Sequence, residues 1–188
     1  MRDGLLGFID TPAQGNVREP DVDWCADNGC YSFKWDEQKW WAWLVRQDRT
    51  MRFATCPDVV GDWDAIVERF NKFQPKMKAE GLPVACVAQD GATHTTIPWD
   101  DIDCVFIGGT TEFKLSATSE QIMREGNMRG VWVHVGRVNS LRRLRWAKAR
   151  GADSCDGTFL TFGPDVNLPK LLRWLRQVNN QNQFGFDV

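Results

Sequence analysis

The sequence contains few of the residues that most often bind metal ions. Only two histidines, His94 and His134, occur among its 188 residues, and no two of its six cysteines have the Cys-x-x-Cys spacing. Structural zinc sites and iron–sulfur clusters depend on closely spaced sets of cysteine and histidine ligands. We therefore expect no metal and no cofactor.

Long apolar segments are also missing. No run approaches the roughly 18 apolar residues that cross a bilayer, and the apolar part of the N-terminal segment is too short for a signal peptide. Most of the six cysteines lie in apolar runs spread over the chain, which favours free buried thiols over a disulfide framework. These absences predict a cytoplasmic protein that makes no contact with membranes.

The composition is that of an ordinary globular protein, with 43% hydrophobic and 26% charged residues. A chain of 188 residues is long enough to bury a core of its own. We expect one domain over residues 1–178, followed by a polar and poorly ordered tail over residues 179–188.

The segment 130–162 has the pattern of a strand, a helix and a second strand. The apolar run 131–135 precedes a helix that either Asn139 or Ser140 can cap, and Gly151 ends that helix. The short strand that follows ends at Asp156. Functional residues of α/β proteins lie at the carboxyl ends of parallel strands. Asp156 is therefore the leading candidate for a functional residue. His134, inside the first strand, is expected to be a hydrogen-bonded core residue rather than a general base.

The same alternation recurs along the chain, and polar residues end nearly all of the strands. The pattern predicts an α/β protein with a compact (β/α)8 TIM-like barrel, either complete or with one unit reduced. An open doubly wound sheet is the alternative, although no G-x-G-x-x-G motif follows the first strand. The predicted strands before the last one lie at 5–10, 22–26, 52–56, 84–88, 104–107 and 131–135. The predicted helices lie at 37–47, 62–80, 119–125, 141–150 and 168–178.

Positive charge is concentrated in the last third of the chain. Nine Lys and Arg residues stand between positions 137 and 176, against three acids. A basic face on two helices beside a site would suit a polyanionic substrate. A solvated helix face would have the same pattern, so charge alone leaves both interpretations open.

An ordered series of short motifs resembles the tRNA-guanine transglycosylase superfamily, and within it the phage and bacterial branch that inserts 7-deazaguanines into DNA. The resemblance runs from about residue 22 to residue 176, and the order of the motifs carries it. The motifs are Ala26-Asp27-Asn28-Gly29-Cys30-Tyr31-Ser32, Cys56-Pro57-Asp58, Ala88-Gln89-Asp90-Gly91, Ile107-Gly108-Gly109, His134-Val135-Gly136-Arg137 and Cys155-Asp156-Gly157.

The resemblance implies a pentosyl-transferring glycosyltransferase that replaces guanine in DNA by a 7-deazaguanine through a covalent intermediate. Asp156 would be the nucleophile and Asp27 the group that moves protons. Base recognition would fall to Asp58 and Gln89, to the backbone at Gly108 and Gly109, and to Tyr31, which could stack on a flipped base. Four arginines would hold phosphates: Arg137, Arg142, Arg143 and Arg145.

The resemblance also implies DNA and a free 7-deazapurine as partners, in the cytoplasm of the host cell if the gene belongs to a phage. The tRNA-modifying members carry a zinc module of three cysteines and one histidine near the C-terminus. This chain ends without one, which favours DNA over tRNA. A homodimer or a partner protein is left open.

Two other functions fit the same residues. A glycosylase on the same architecture would hydrolyse the N-glycosidic bond with water and insert no new base. A catalytically silent barrel would bind nucleic acid and guide a partner enzyme. The second alternative predicts that Asp156→Asn leaves function intact, whereas charge reversal on the helix 142–150 abolishes it.

Overall fold

Seven short parallel strands form one sheet in the computed structural model, which describes residues 4–13, 17–32 and 35–180. Their order in the sheet is their order in the chain, so each strand pairs with the one before it. Every pair is parallel, for example Cys104–Ile107 beside Trp132–Val135. The strands are β1 Phe8–Asp10, β2 Trp24–Ala26, β3 Ala54–Thr55, β4 Val84–Ala88, β5 Cys104–Ile107, β6 Trp132–Val135 and β7 Ser154–Cys155.

Helices follow most of the strands, and side-chain oxygens that accept from backbone N–H groups begin several of them. Helix α2 continues through Pro75, and its apolar stripe stays buried along its length. The helices are α1 Glu37–Leu44, α2 Trp63–Ala79, α3 Thr111–Lys114, α4 Ala117–Arg129, α5 Leu141–Ala149 and α6 Pro164–Asn180, with 3-10 turns at Cys30–Ser32 and Trp99–Asp101.

Side chains alternate between the two faces of the sheet, as they must in any strand. Val105 and Val133 pack with the helices in the main core. Cys25, Phe53 and Cys104 form a smaller cluster on the other face. All six cysteines are free thiols, as the sequence predicts.

The sheet is strongly curled. Phe53 precedes β3, yet its ring centroid lies 6.3 Å from that of Phe106 on β5 and 5.2 Å from that of His134 on β6. Strands that stand two and three places apart in a flat sheet, about 4.8 Å per place, would hold these rings much farther apart. The face that carries these three rings is therefore the concave face.

The α/β class is confirmed, but the prediction of a closed eightfold barrel is wrong. The sheet has seven strands and is open, and among the described residues β1 and β7 do not pair. Closure needs an unbroken ring of strand pairs. Here the last strand has only two residues and helix α6 follows it, so no eighth strand fills the gap within the described residues. The doubly wound alternative also fails, because that fold reverses its strand order.

The boundary of the predicted tail falls near the end of the described chain. Helix α6 extends to Asn180, two residues into the predicted tail, and residues 181–188 lie outside the described part. Among the helices that the structure describes, none is long and apolar enough to cross a membrane.

Candidate active site

The polar residues predicted from the sequence stand at one edge of the curled sheet, the edge formed by the carboxyl ends of the strands. Asp27 directly follows β2, and Gln89 directly follows β4. Gly108 directly follows β5, and Asp156 directly follows β7. Since all the strands are parallel, these residues share one rim, and Asp58 joins it from the loop after β3.

Asp58 is buried in a network of amide donors. The Asn28 Nδ2 donates to Asp58 Oδ1 at 2.9 Å, and the Gln89 Nε2 donates to Asp58 Oδ2. The Gln89 Oε1 in turn accepts from the Gly61 N–H at 2.9 Å. Burial raises the pKa of Asp58, although the Asn28 hydrogen bond and the positive Arg69 oppose the rise. The network fixes the orientation of both side chains that the resemblance assigns to base recognition.

Asn28 holds this network together, although no role was expected for it from the sequence. Its Nδ2 also donates to the Cys56 carbonyl at 2.9 Å, and its Oδ1 accepts from the Cys30 N–H at 2.7 Å. Its own N–H donates to the Thr55 Oγ1 at 2.7 Å. The only signal in the sequence was its place next to Asp27 in the first motif.

Asp27 lies half-buried beside Asp58. The Thr55 hydroxyl donates to Asp27 Oδ1 at 3.2 Å. Burial is the main cause that raises the pKa of Asp27, and repulsion from Asp58 and, more weakly, from Asp156 adds to it. Asp27 and Asp156 stand on strands five places apart in the sheet, so the curl is what brings their charges within reach. A carboxyl group with a raised pKa is suited to proton transfer near neutral pH.

Asp156 is held through one of its two carboxylate oxygens. Asp156 Oδ1 accepts from the Arg137 backbone N–H at 3.1 Å and lies 3.2 Å from the Nε2 of His134. The Asp156 Oδ2 has no hydrogen-bond partner within the described residues. An oriented carboxylate with one oxygen left open has the geometry of a nucleophile.

His134 is buried, as the sequence analysis expected of a core histidine, but its partner is the candidate nucleophile. Its Nδ1 lies 2.7 Å from the Ser154 Oγ, and its ring lies against Phe53 and Phe106. With the proton on Nε2, the ring donates to Asp156 and accepts from Ser154. The alternation of strand β6 could have revealed this contact, because it places His134 on the same face as the end of β7.

Tyr31 and Arg137 meet above the rim, although they come from loops after β2 and β6. The Arg137 guanidinium carbon lies 3.6 Å from the centroid of the Tyr31 ring, and Tyr31 is 57% exposed. Arg137 has a φ of 59°, which is uncommon for a residue with a side chain. The arginine covers one face of the ring that the sequence analysis assigned to base stacking.

The two residues after β5, Gly108 and Gly109, occupy positions where a larger side chain would not fit without strain. A Cβ on Gly108 would lie 3.1 Å from the Val87 Cγ1 and 3.4 Å from the Gln89 Cγ. Gly109 has a φ of +73°, where residues with side chains are strained. The pair therefore allows the Gln89 side chain to pack at the rim.

The basic residues of α5 differ in their surroundings. Arg142 and Arg145 are exposed, whereas Arg143 is half-buried and donates to the Thr111 Oγ1 at 3.5 Å. Lys114, which the sequence analysis did not single out, is buried beside them. Among residues 4–13, 17–32 and 35–180, no three His, Cys, Asp or Glu side chains converge as a metal site would require.

Fold and rim together define an α/β protein with a curled parallel sheet and an acidic site at its carboxyl edge. No protein-family model matches the chain, and no curated protein matches it. Two crystal structures share its fold. A chain of the BexX/CysO complex from Amycolatopsis orientalis is similar over 96% of this chain and 82% of that chain, with 17% identity and a TM-score of 0.58. A chain of tryptophan synthase from M. tuberculosis is similar over 84% of this chain and 60% of that chain, with 10% identity and a TM-score of 0.52. These likenesses concern the fold alone.

Proposed function

We propose that the protein is a base-exchange glycosyltransferase that replaces guanine in DNA by a 7-deazaguanine. The arrangement of Asp27 and Asp156 carries the proposal. Asp156 is fixed through Oδ1, and its Oδ2 is unbonded within the described residues. Asp27 has a raised pKa and lies near enough for the two charges to repel each other. A nucleophile and a proton carrier on one rim are what exchange of an N-glycosidic bond needs.

In the first step, a lone pair of Asp156 Oδ2 forms a bond to the sugar C1′ of the target nucleotide. The bond between C1′ and the guanine N9 breaks, and its electron pair stays on the base. Protonated Asp27 supplies the proton that the leaving base takes up. The product is a covalent glycosyl-enzyme, as in retaining glycosidases.

In the second step, the ring nitrogen of the incoming 7-deazaguanine attacks C1′ from the side that the guanine left. The bond between C1′ and Oδ2 breaks, and its electrons return to Asp156. The carboxylate of Asp27 takes the proton that the incoming base loses. Both aspartates regain their starting states, and no oxidant or reductant is consumed.

Base recognition fits the buried network around Asp58. The Asp58 carboxylate can accept from the N–H groups of a guanine edge, and an amide such as Gln89 can donate to its carbonyl. Both side chains are already oriented by Asn28 and by the Gly61 N–H. Side chains that are already oriented discriminate between bases better than mobile ones, because binding of the base costs them little further conformational entropy. In duplex DNA the target base must first leave the stack, at a cost of a few kcal/mol.

The test is to trap the covalent intermediate. The protein is incubated with guanine-containing DNA, with and without 7-cyano-7-deazaguanine, and denaturing gels and intact mass report adducts and altered DNA. We expect an adduct that is lost in Asp156→Asn and retained in Asp165→Asn, a control in the first turn of α6. The adduct should resolve to DNA that contains the deazapurine.

Other outcomes separate the alternatives. Abasic DNA would indicate the hydrolytic glycosylase. Unaltered DNA together with tight, salt-sensitive binding would favour the catalytically silent binding protein. Either result would end the base-exchange proposal for this substrate.

A further inference from the structure

A small groove beside Asp156 is lined by positive side chains. It lies between α3 and the segment from the end of β6 to α5, and it is partly open to solvent. Lys114, Arg137 and Arg143 all border it. Three cations on one small groove create a local field that attracts an anion.

Lys114 is the unusual member of this set. The residue is only 6% exposed, but its Nζ is not among the fully enclosed polar atoms that lack a partner in the described part of the chain, so the ammonium reaches solvent at the groove. A charge that loses part of its hydration without a neighbouring carboxylate in contact is destabilised. Burial lowers the pKa of Lys114, and the positive Arg137 and Arg143 lower it further. The chain therefore maintains an uncompensated positive site that a bound anion would stabilise.

The acids nearby do not compensate the site. Asp156 and Asp90 attract the Lys114 ammonium less strongly than Arg137 and Arg143 repel it. Both oxygens of Asp90 are already bonded to Thr110, through its N–H at 2.8 Å and its hydroxyl at 2.6 Å. The Asp156 Oδ1 is held by His134 and by the Arg137 N–H.

We propose that Lys114, Arg137 and Arg143 form a phosphate-binding pocket that holds one phosphodiester of a nucleic-acid strand next to Asp156. Arg143 is anchored by Thr111, and Arg137 is held against Tyr31, so both guanidinium groups are oriented before the strand arrives. A phosphate in this pocket would place the adjoining sugar near the Asp156 carboxylate. This inference rests on the proposed function for its substrate, but it concerns binding and not the exchange chemistry.

The test uses a single-stranded oligonucleotide without guanine, which cannot undergo guanine exchange. Fluorescence anisotropy gives its affinity over a range of salt concentrations for the wild type, Lys114→Met, Lys114→Arg and the control Lys76→Met on α2. Each phosphate contact on a single strand contributes about 0.7 to the slope of log K against log salt. We expect the slope to fall by about 0.7 in Lys114→Met, and to stay unchanged in Lys114→Arg and Lys76→Met.

A second arm distinguishes a strand phosphate from a free one. Inorganic phosphate is added at constant ionic strength, with chloride as the reference. Weak competition by phosphate, together with the changed slope, supports the strand as the ligand. Strong competition by phosphate with an unchanged slope would make the pocket a free-phosphate site and overturn the proposal. An unchanged slope without competition would overturn it as well.

Thermal melting of each variant verifies that it folds. Should Lys114→Met fail to fold, Arg143→Gln takes its place, and the same loss of slope is expected. Failure of this test would leave the Asp156 adduct experiment unaffected. Success here without an adduct would retain the pocket and remove the exchange chemistry.

Discussion

Asp27→Asn should make the protein more stable, and the gain should depend on pH. Burial and the negative Asp58 and Asp156 raise the pKa of Asp27 above the ordinary value for aspartate. The contribution of Asp27 to the free energy of unfolding is complete at pH values below its pKa in the unfolded chain. That contribution is lost as the pH rises through its higher pKa in the folded protein. Asparagine never ionises, and it keeps an Oδ1 that can accept from the Thr55 hydroxyl. The variant therefore avoids the loss that the wild type suffers.

The expected gain in the free energy of unfolding is that of removing a buried carboxylate that is destabilised when charged. Relief of a destabilising group at a functional site typically contributes about 0.5 to 2 kcal/mol to the free energy of unfolding. In a chain of this size, about 1 kcal/mol shifts the Tm by roughly 2–4 °C. The difference in Tm between variant and wild type should be near zero at a pH of about 4, where aspartate has its ordinary pKa, and should grow to that range at neutral pH.

Circular dichroism melts at a series of pH values measure the effect. Asp100→Asn is the matched control, because that side chain is 99% exposed and should show no such trend. A gain in Asp27→Asn that is the same at every pH would mean that ionisation is not its cause. A lower Tm at neutral pH would refute the reasoning, since Asp27 would then be stabilised in its charged form and unsuited to deliver a proton.

Further substitutions at three positions test the packing of two glycines and the cap of α5. Gly136→Ala places a Cβ 2.8 Å from the Phe106 Cε1, so urea denaturation should show a loss of about 1–3 kcal/mol; an unchanged midpoint would contradict the packing. Gly126→Ala places a Cβ 3.0 Å from the Val133 Cγ2, and the resulting overpacking should outweigh the helical gain of about 1 kcal/mol in the same assay; a more stable variant would disprove this. Ser140→Ala removes the N-cap of α5 and should cost about 1 kcal/mol, whereas Ser140→Asp should restore it; equal melting of both variants would exclude the cap.

The strands and all the helices except α3 could be predicted from the sequence because their signals are local. Apolar runs between turn residues predicted all seven strands, and polar residues at their ends predicted one rim for Asp27, Gln89 and Asp156. Ser140, one of the two residues that could cap α5, is its N-cap. These features depend on residues within a few positions of one another, and a sequence displays such neighbours directly.

Only the tertiary structure decided how these elements meet. A strand pattern predicts that strands pair, but closure depends on whether the first and last strands reach each other, and here they remain apart. The contact of His134 with Asp156 joins residues 22 positions apart, and the bond of Asn28 to Asp58 joins residues 30 positions apart. Nothing in the sequence distinguished Lys114, yet the fold leaves only 6% of it exposed. Such contacts follow from the curl of the sheet, which is a property of all seven strands together.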